Sequence, residues 1–160
     1  MIEVAVQYFR FEEDFMEDNI RCIPMMVRFK LDACGIKLKL SEWSKFTVEE
    51  REFLAEFRFN SHQDIATYRN YLQDLVFNRT KREATDLAIE AYPPWAIVHQ
   101  IPESIVQRMK EYNWNLSLSQ WRQLSMLQRF ALVKLSRSSH ENKNFPKAIK
   151  EFGLVDVPIL

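Results

Sequence analysis

Residues 23–62 and 101–140 are related by a constant shift of 78 positions with no gap, and ten of the forty aligned pairs are identical. The identities are Ile23/Ile101, Pro24/Pro102, Leu38/Leu116, Leu40/Leu118, Ser41/Ser119, Trp43/Trp121, Arg51/Arg129, Leu54/Leu132, Ser61/Ser139 and His62/His140. Val27/Ile105, Lys30/Arg108, Leu31/Met109, Phe46/Leu124, Thr47/Ser125, Glu50/Gln128 and Phe57/Leu135 are conservative. A chain that repeats its own tryptophans in register is constrained to build one local unit twice. The expected architecture is therefore two related copies, placed about a pseudo-twofold axis.

The shared positions are local structural signals. Pro24 and Pro102 stand where a first helical turn accepts proline. Ile23, Val27, Leu31 and Cys34 then follow helical spacing, as do Ile101, Ile105 and Met109. Gly35 suits a left-handed cap that ends the first helix, with Asn113 as its counterpart. Residues 36–40 and 114–118 alternate apolar and polar, which is a strand period. They could pair as a short antiparallel ribbon or serve as extended connectors. Ser41 and Ser119 are expected to cap a short turn that carries the tryptophans. Thr47–Glu50 and Ser125–Gln128 read as capping boxes, each opening a helix of about ten residues.

After Ser61-His62 the first copy continues into an amphipathic stripe of Ile65, Tyr68, Leu72, Leu75 and Val76. The second has a shorter one, Phe145, Ala148, Ile149 and Phe152, stopped by Gly153. One more helix is predicted at about 81–91, ended by Tyr92-Pro93-Pro94-Trp95. Residues 2–11 alternate loosely, as a strand or a strap would. The predicted fold class is mainly α. It is a single helical domain, 1–160, with at most a short two-stranded β element. Its repeats span about 23–76 and 101–154, joined by a helix and a Pro-Pro linker at 77–100.

Composition agrees with helices. Only two glycines occur in 160 residues, against twelve Phe, five Tyr and four Trp, which argues against a fold of many tight turns. Twenty-two basic side chains balance twenty-two acidic ones, so no global field attracts nucleic acid. The charge is unevenly placed, however. Residues 1–20 carry a net −5, residues 21–39 a net +4, and residues 129–150 hold six Lys or Arg against Glu141. Such blocks either pack together or polarise a face for a partner. No apolar run reaches the roughly 18 residues of a membrane span and no leader is apparent, so a cytoplasmic protein with reduced thiols is expected.

The search for catalytic chemistry is mostly negative. There is no glycine-rich phosphate loop, no H-E-x-x-H and no G-x-S-x-G. Cys22 and Cys34 are the only cysteines, and nothing local joins either to His62, His99 or His140 as a nucleophile would require. Both are expected to be structural. Trp43 and Trp121 read as the apolar plugs of their units. His62 and His140 read as groups at helix starts, because a metal shared between them would need further ligands that the sequence does not offer. The expectation is a protein with no catalytic residue, cofactor or metal, and not an enzyme.

Several longer motifs point further. They are Arg21-Cys22-Ile23-Pro24-Met25, Lys30-Leu31-Asp32-x-Cys34-Gly35-Ile36-Lys37-Leu38 and the tract Arg129-Phe130-Ala131-Leu132-Val133-Lys134-Leu135-Ser136-Arg137. The last continues through His140-Glu141-Asn142 to Glu151-Phe152-Gly153-Leu154. Over about residues 9–154 the chain resembles the conserved nitrate reductase-associated proteins, found mainly in cyanobacteria. Arg58-Phe59-Asn60 departs from the Pro/Cys-containing turn that the family pattern leads one to expect. The resemblance implies a supporting role in nitrate assimilation, beside the ferredoxin-dependent molybdenum nitrate reductase and molybdopterin biosynthesis. It carries no established activity or cofactor.

Two functional classes follow from the residues and the resemblance together. The first is an accessory protein that binds the reductase, with no nucleic-acid or membrane partner. Its candidate contact residues are Arg21, Arg28, Lys30, Arg51, Arg129, His140, Glu141 and Asn142. The second is a molybdopterin carrier or nitrate-sensing module, in which Arg51, Arg129 and two capped helix N-termini would hold an anion. A carboxylate from the acidic stretch 12–18 is the alternative partner expected for those arginines.

Overall fold

The computed structural model describes residues 7–12, 20–137 and 143–156. It divides into two compact units, one built on Glu12–Glu90 and the other on Ala91–Leu160 together with Phe9–Phe11. Each unit holds one of the two sequence repeats. The described residues are mainly helical, with one two-stranded antiparallel sheet.

In the first unit α1 (Met25–Cys34) follows Pro24, and β1 (Ile36–Lys37) comes directly after it. The short α2 (Leu40–Trp43), then α3 (Val48–Glu56) and the long α4 (His62–Thr80) complete the copy. Gly35 closes α1 in the left-handed region at φ 76°, its N–H donating to the Leu31 carbonyl at 2.9 Å. The Thr47 box forms as expected. Its Oγ1 accepts from Glu50 N at 3.1 Å and its N–H donates to Glu50 Oε1 at 2.8 Å, an arrangement worth about 1 kcal/mol. Ser61 caps α4 by accepting from Asp64 N at 3.0 Å, which leaves His62 exposed on the first turn.

The core of this unit is formed by Val27, Leu31, Cys34, Trp43, Phe46, Leu54, Tyr68, Leu72 and Val76. Its polar atoms are satisfied at once. Trp43 Nε1 donates to the Ile20 carbonyl at 2.9 Å, and the Tyr68 hydroxyl donates to the Leu54 carbonyl at 3.0 Å. Large aromatics can be buried here because their single polar atoms find backbone acceptors.

The second unit repeats the succession. α5 (Glu103–Glu111) follows Pro102, and α6 (Leu118–Gln123) carries Trp121. α7 (Met126–Arg137) and α8 (Asn144–Glu151) follow. Asn113 takes the left-handed conformation at φ 56°, the counterpart of Gly35 that the alignment predicts. The Ser125 box forms with Gln128 at 2.9 and 3.1 Å. Trp121 is fully buried, as Trp43 is, and its Nε1 donates to the Ile97 carbonyl at 2.9 Å. Phe145, Ala148 and Ile149 are buried, and Gly153 ends the stripe at φ 68°. Phe9 and Phe11 stack on each other at 5.2 Å and pack against Phe152, with Phe11 N donating to Glu151 Oε1 at 3.0 Å. Residues 7–9 form no strand, 10–12 make a single 3₁₀ turn, and 2–6 lie outside the described residues.

Two sequence expectations are corrected, and one open alternative is decided. The helix predicted at 81–91 is absent. α4 ends at Lys81 in the left-handed region at φ 61°, and the chain then runs extended through β2 (Thr85–Asp86). A tertiary partner overrides local helix propensity there. Ile36 pairs with Asp86 and Lys37 with Thr85, and Leu87 N donates to the Gly35 carbonyl at 2.8 Å. Arg69 fastens the same place, with Nη1 on the carbonyls of Cys34 and Gly35 and Nη2 on Asp86 at 2.6 Å. Of the two readings offered for 36–40 and 114–118, the extended connector holds for 114–117, while β1 takes its partner from the joining segment. The caps of the tryptophan-bearing helices also stand two residues earlier than expected, at Lys39 and Ser117 rather than Ser41 and Ser119. Ser117 makes a full capping box with Gln120. At Lys39 only the backbone N–H is held, by Glu42 Oε1 at 2.8 Å.

Candidate functional site

The arginine pair shows what the repeated motif does. Arg51 and Arg129 each lie one turn into a capped helix, where a cation opposes the helix dipole. Each reaches back to a carbonyl at the C-terminal end of the preceding short helix, where oxygens carry partial negative charge, and Arg129 also reaches the 3₁₀ turn Pro94–Ala96. Arg51 donates from Nε to the Trp43 carbonyl at 3.3 Å and from Nη2 to the Ser44 carbonyl at 3.1 Å. Arg129 donates from Nε to the Trp95 carbonyl at 2.7 Å and from Nη1 to the Leu124 carbonyl. The guanidinium carbons stand 5.9 Å over the rings of Trp43 and Trp121 respectively. Arg129 is buried, and burial pulls its guanidinium below the ordinary value, though an arginine stays charged. In place of the expected carboxylate it meets backbone carbonyls. It is therefore an internal clamp rather than a surface group. Arg51 is half-buried in the same role.

Lys30 is corrected likewise. It is 1% exposed, and its Nζ donates to the carbonyls of Ala55 and Phe57 at 2.6 and 2.8 Å. The ammonium lies 5.9 Å from the Phe59 ring and 5.8 Å from the Tyr68 ring. Desolvation lowers its pKa to about 8, against a smaller opposing pull from Glu56. Its aligned partner Arg108 does equivalent work in the second unit, donating from Nη2 to the Ser136 carbonyl at 3.3 Å near the end of α7. Both cations close the C-terminus of the helix that the capping box opens.

Of the remaining candidates, Arg21 and Arg28 are exposed, and Arg28 Nε donates to the Ile23 carbonyl at 3.2 Å. His140, Glu141 and Asn142 lie outside the described residues. Cys34 is 1% exposed, and burial pushes its thiol up to about 11, so it is inert in the folded chain. Among the described residues, no group of three or more His, Cys, Asp or Glu is arranged to hold a metal ion. No described helix is long and apolar enough to cross a membrane. Of the described candidates, Lys30 and Arg129 are buried, Arg51 is half-buried, and Arg21 and Arg28 are exposed.

Among the described residues of the second unit, open clefts include two. One, of about 340 Å³, is lined by residues around Pro102 with Glu103, Ser104 and Arg137. The other, of about 430 Å³, is lined by Tyr112, Lys143, Pro146, Lys147 and Lys150. The three lysines are exposed on the outer face of α8. Sequence reasoning tallied the basic stretch 129–150 but did not single them out. Their i, i+4, i+7 spacing was the available signal.

Comparison with known families places the whole assembly. The family model of the conserved nitrate reductase-associated proteins matches residues 8–152. The chain belongs to that family. The matched span takes in both copies of the unit and all of α8. No curated protein and no solved structure gives a significant match.

Proposed function

We propose that this member of the nitrate reductase-associated family is a non-enzymatic accessory protein. It binds an assimilatory, ferredoxin-dependent molybdenum nitrate reductase in the cytoplasm and supports its assembly or stability. The observation that carries the reading is the family match across residues 8–152. The architecture suits it. Two aromatic-rich cores clamped by buried cations give firm bodies, and charge is left in patches on the outside, as a recognition surface requires. The alternative of a molybdopterin carrier or nitrate sensor is less favoured, since Arg129, one of the two arginines it relied on, is buried and donates to two carbonyls.

Deleting the gene in a nitrate-assimilating host, with the reductase transcript measured in parallel, tests the proposal. Reductase activity falls while the transcript holds, and the two purified proteins associate. Unchanged reductase activity in the deletion strain would overturn the reading.

A further inference from the structure

The outward side of α3 sets an exposed aromatic ring beside a row of carboxylates. α3 buries Leu54 and Ala55 and turns Glu49, Glu52, Phe53 and Glu56 to solvent, at the i, i+3, i+4, i+7 spacing of one helical face. Phe53 is 43% exposed. Its ring lies 4.5 Å from Tyr71 of α4 and 5.3 Å from Phe57, both half-buried against the core of the first unit. The three rings form one aromatic platform anchored in that core, rather than a lone exposed phenylalanine. Glu49, Glu52 and Glu56 make no side-chain ion pair or hydrogen bond among the described residues. All twenty-two Lys and Arg of the chain lie within those residues, so no further lysine or arginine of the chain is left to neutralise the row. Arg79 of α4 is held by Glu50 at 2.8 Å. The helix dipole accounts for a carboxylate in the first turn, at Glu49, but opposes one at Glu56, the last residue of α3. Lys30 feels Glu56 through the end of the helix, yet its ammonium is buried and donates to two carbonyls.

We propose that this face docks a basic segment of the partner protein, with a guanidinium over Phe53 and Tyr71 and neighbouring cations on Glu49, Glu52 and Glu56. The proposal rests on the accessory reading above. Carboxylates beside aromatic faces complement arginine, whose planar cation stacks on a ring and pairs with an acid at the same time. A second copy of this chain is a poorer occupant, because a twofold contact would set the glutamate row against itself. Nucleic acids and anionic lipid surfaces carry the same sign as the row and are repelled by it.

The test compares the full-length wild type with Glu52→Gln/Glu56→Gln, with Phe53→Ala, and with Glu83→Gln as an exposed control in the first unit. The glutamine variant keeps side-chain shape and leaves the core untouched, and thermal melts establish that each protein folds. If Phe53→Ala does not fold, Phe53→Leu, which keeps apolar bulk without a ring face, takes its place. Binding to purified nitrate reductase is titrated at low and moderate salt, a deca-arginine peptide is titrated separately, and sedimentation follows self-association. Both site variants are expected to lose at least about tenfold in reductase affinity, with Glu83→Gln unchanged and wild-type affinity falling as salt rises. Reductase binding that neither variant weakens would overturn the docking surface and leave the accessory role standing. Loss in only one of the two would overturn it too, since ring and carboxylates act together in the docked state. If the wild type does not bind the reductase, the accessory role falls, and the peptide then decides the surface. Deca-arginine binding that both variants weaken keeps the basic-segment site, and binding that they leave unchanged, or none, removes it. Wild-type self-association lost in both variants would replace the proposal with an interface between two copies.

Discussion

Arg129 holds its guanidinium carbon 5.9 Å over the ring of Trp121, the same distance at which Arg51 stands over Trp43. The identity at these two pairs is a shared building device. Each unit buries a tryptophan, and an arginine from the next helix donates to a carbonyl at the end of the tryptophan-bearing helix, Arg129 reaching the Trp95 carbonyl as well.

Removing that clamp should cost stability unequally. Arg129→Ala leaves the Trp95 and Leu124 carbonyls short of a charged donor inside the second unit. A loss of about 2–4 kcal/mol is expected from urea unfolding followed by tryptophan fluorescence. Arg51→Ala, at a half-buried site, should cost about 1–2 kcal/mol. Equal and negligible losses would mean that the carbonyl contacts do no structural work.

The two glycines make a matched pair for testing backbone strain against steric clash. Both take positive φ, 76° at Gly35 and 68° at Gly153. A Cβ at Gly35 would stand 3.0 Å from the Leu87 carbonyl oxygen and 3.0 Å from Ile89 Cγ1, while one at Gly153 meets nothing within 4 Å. Gly153→Ala should therefore cost about 1 kcal/mol, the left-handed penalty alone. Gly35→Ala should cost about 2–3 kcal/mol, because backbone must move as well. Hydrogen exchange should show the Leu87 amide deprotected in Gly35→Ala only.

Much of this fold was legible because its signals are local. The capping boxes at Thr47 and Ser125, the left-handed positions Gly35 and Asn113, and the plug tryptophans depend on residues a few positions apart. The family resemblance was legible for a similar reason, in long unbroken motifs. What escaped depends on distant partners. Nothing in 81–91 announces that Arg69 and the Gly35 carbonyl will hold it extended. Nor does Lys30, in a charged stretch, announce that its ammonium is bound for the end of α3. A charge count cannot separate a solvated cation from one that closes a helix. Of the candidate contact residues, Lys30 and Arg129 proved to be interior for that reason.

Lys30 also predicts a pH dependence. Its pKa falls to about 8 in the folded chain from an ordinary value of 10.5. Between those values the unfolded chain binds more protons than the folded one, so stability should rise with pH across that window. The desolvation cost is fully present below pH 8. Lys30→Met removes this term, so the stability of wild type minus variant should climb between pH 8 and 10.5, with a slope approaching about 1.4 kcal/mol per pH unit. A flat difference would mean that the amine stays protonated by drawing water or a countercharge to Nζ.

The cysteines offer a readout of how the first unit opens. Cys34 is buried at 1% exposure, its Sγ lies 3.6 Å from the Leu31 carbonyl, and its thiol is raised to about 11. Cys22 is partly exposed in the segment before α1. The thiolate is the reactive form, and a buried thiol with a raised pKa supplies neither thiolate nor access. With an excess of iodoacetamide at pH 8, one equivalent should therefore react promptly, at Cys22. Cys34 should be labelled only at the rate at which the unit unfolds. Because Cys34 packs in the same core as Trp43, Gly35→Ala and Arg51→Ala should both speed its labelling, whereas Arg129→Ala, whose clamp lies in the second unit, should not. Acceleration of Cys34 labelling by all three substitutions would show that the two units open as one, and that the clamps act on the whole chain rather than on the unit each closes.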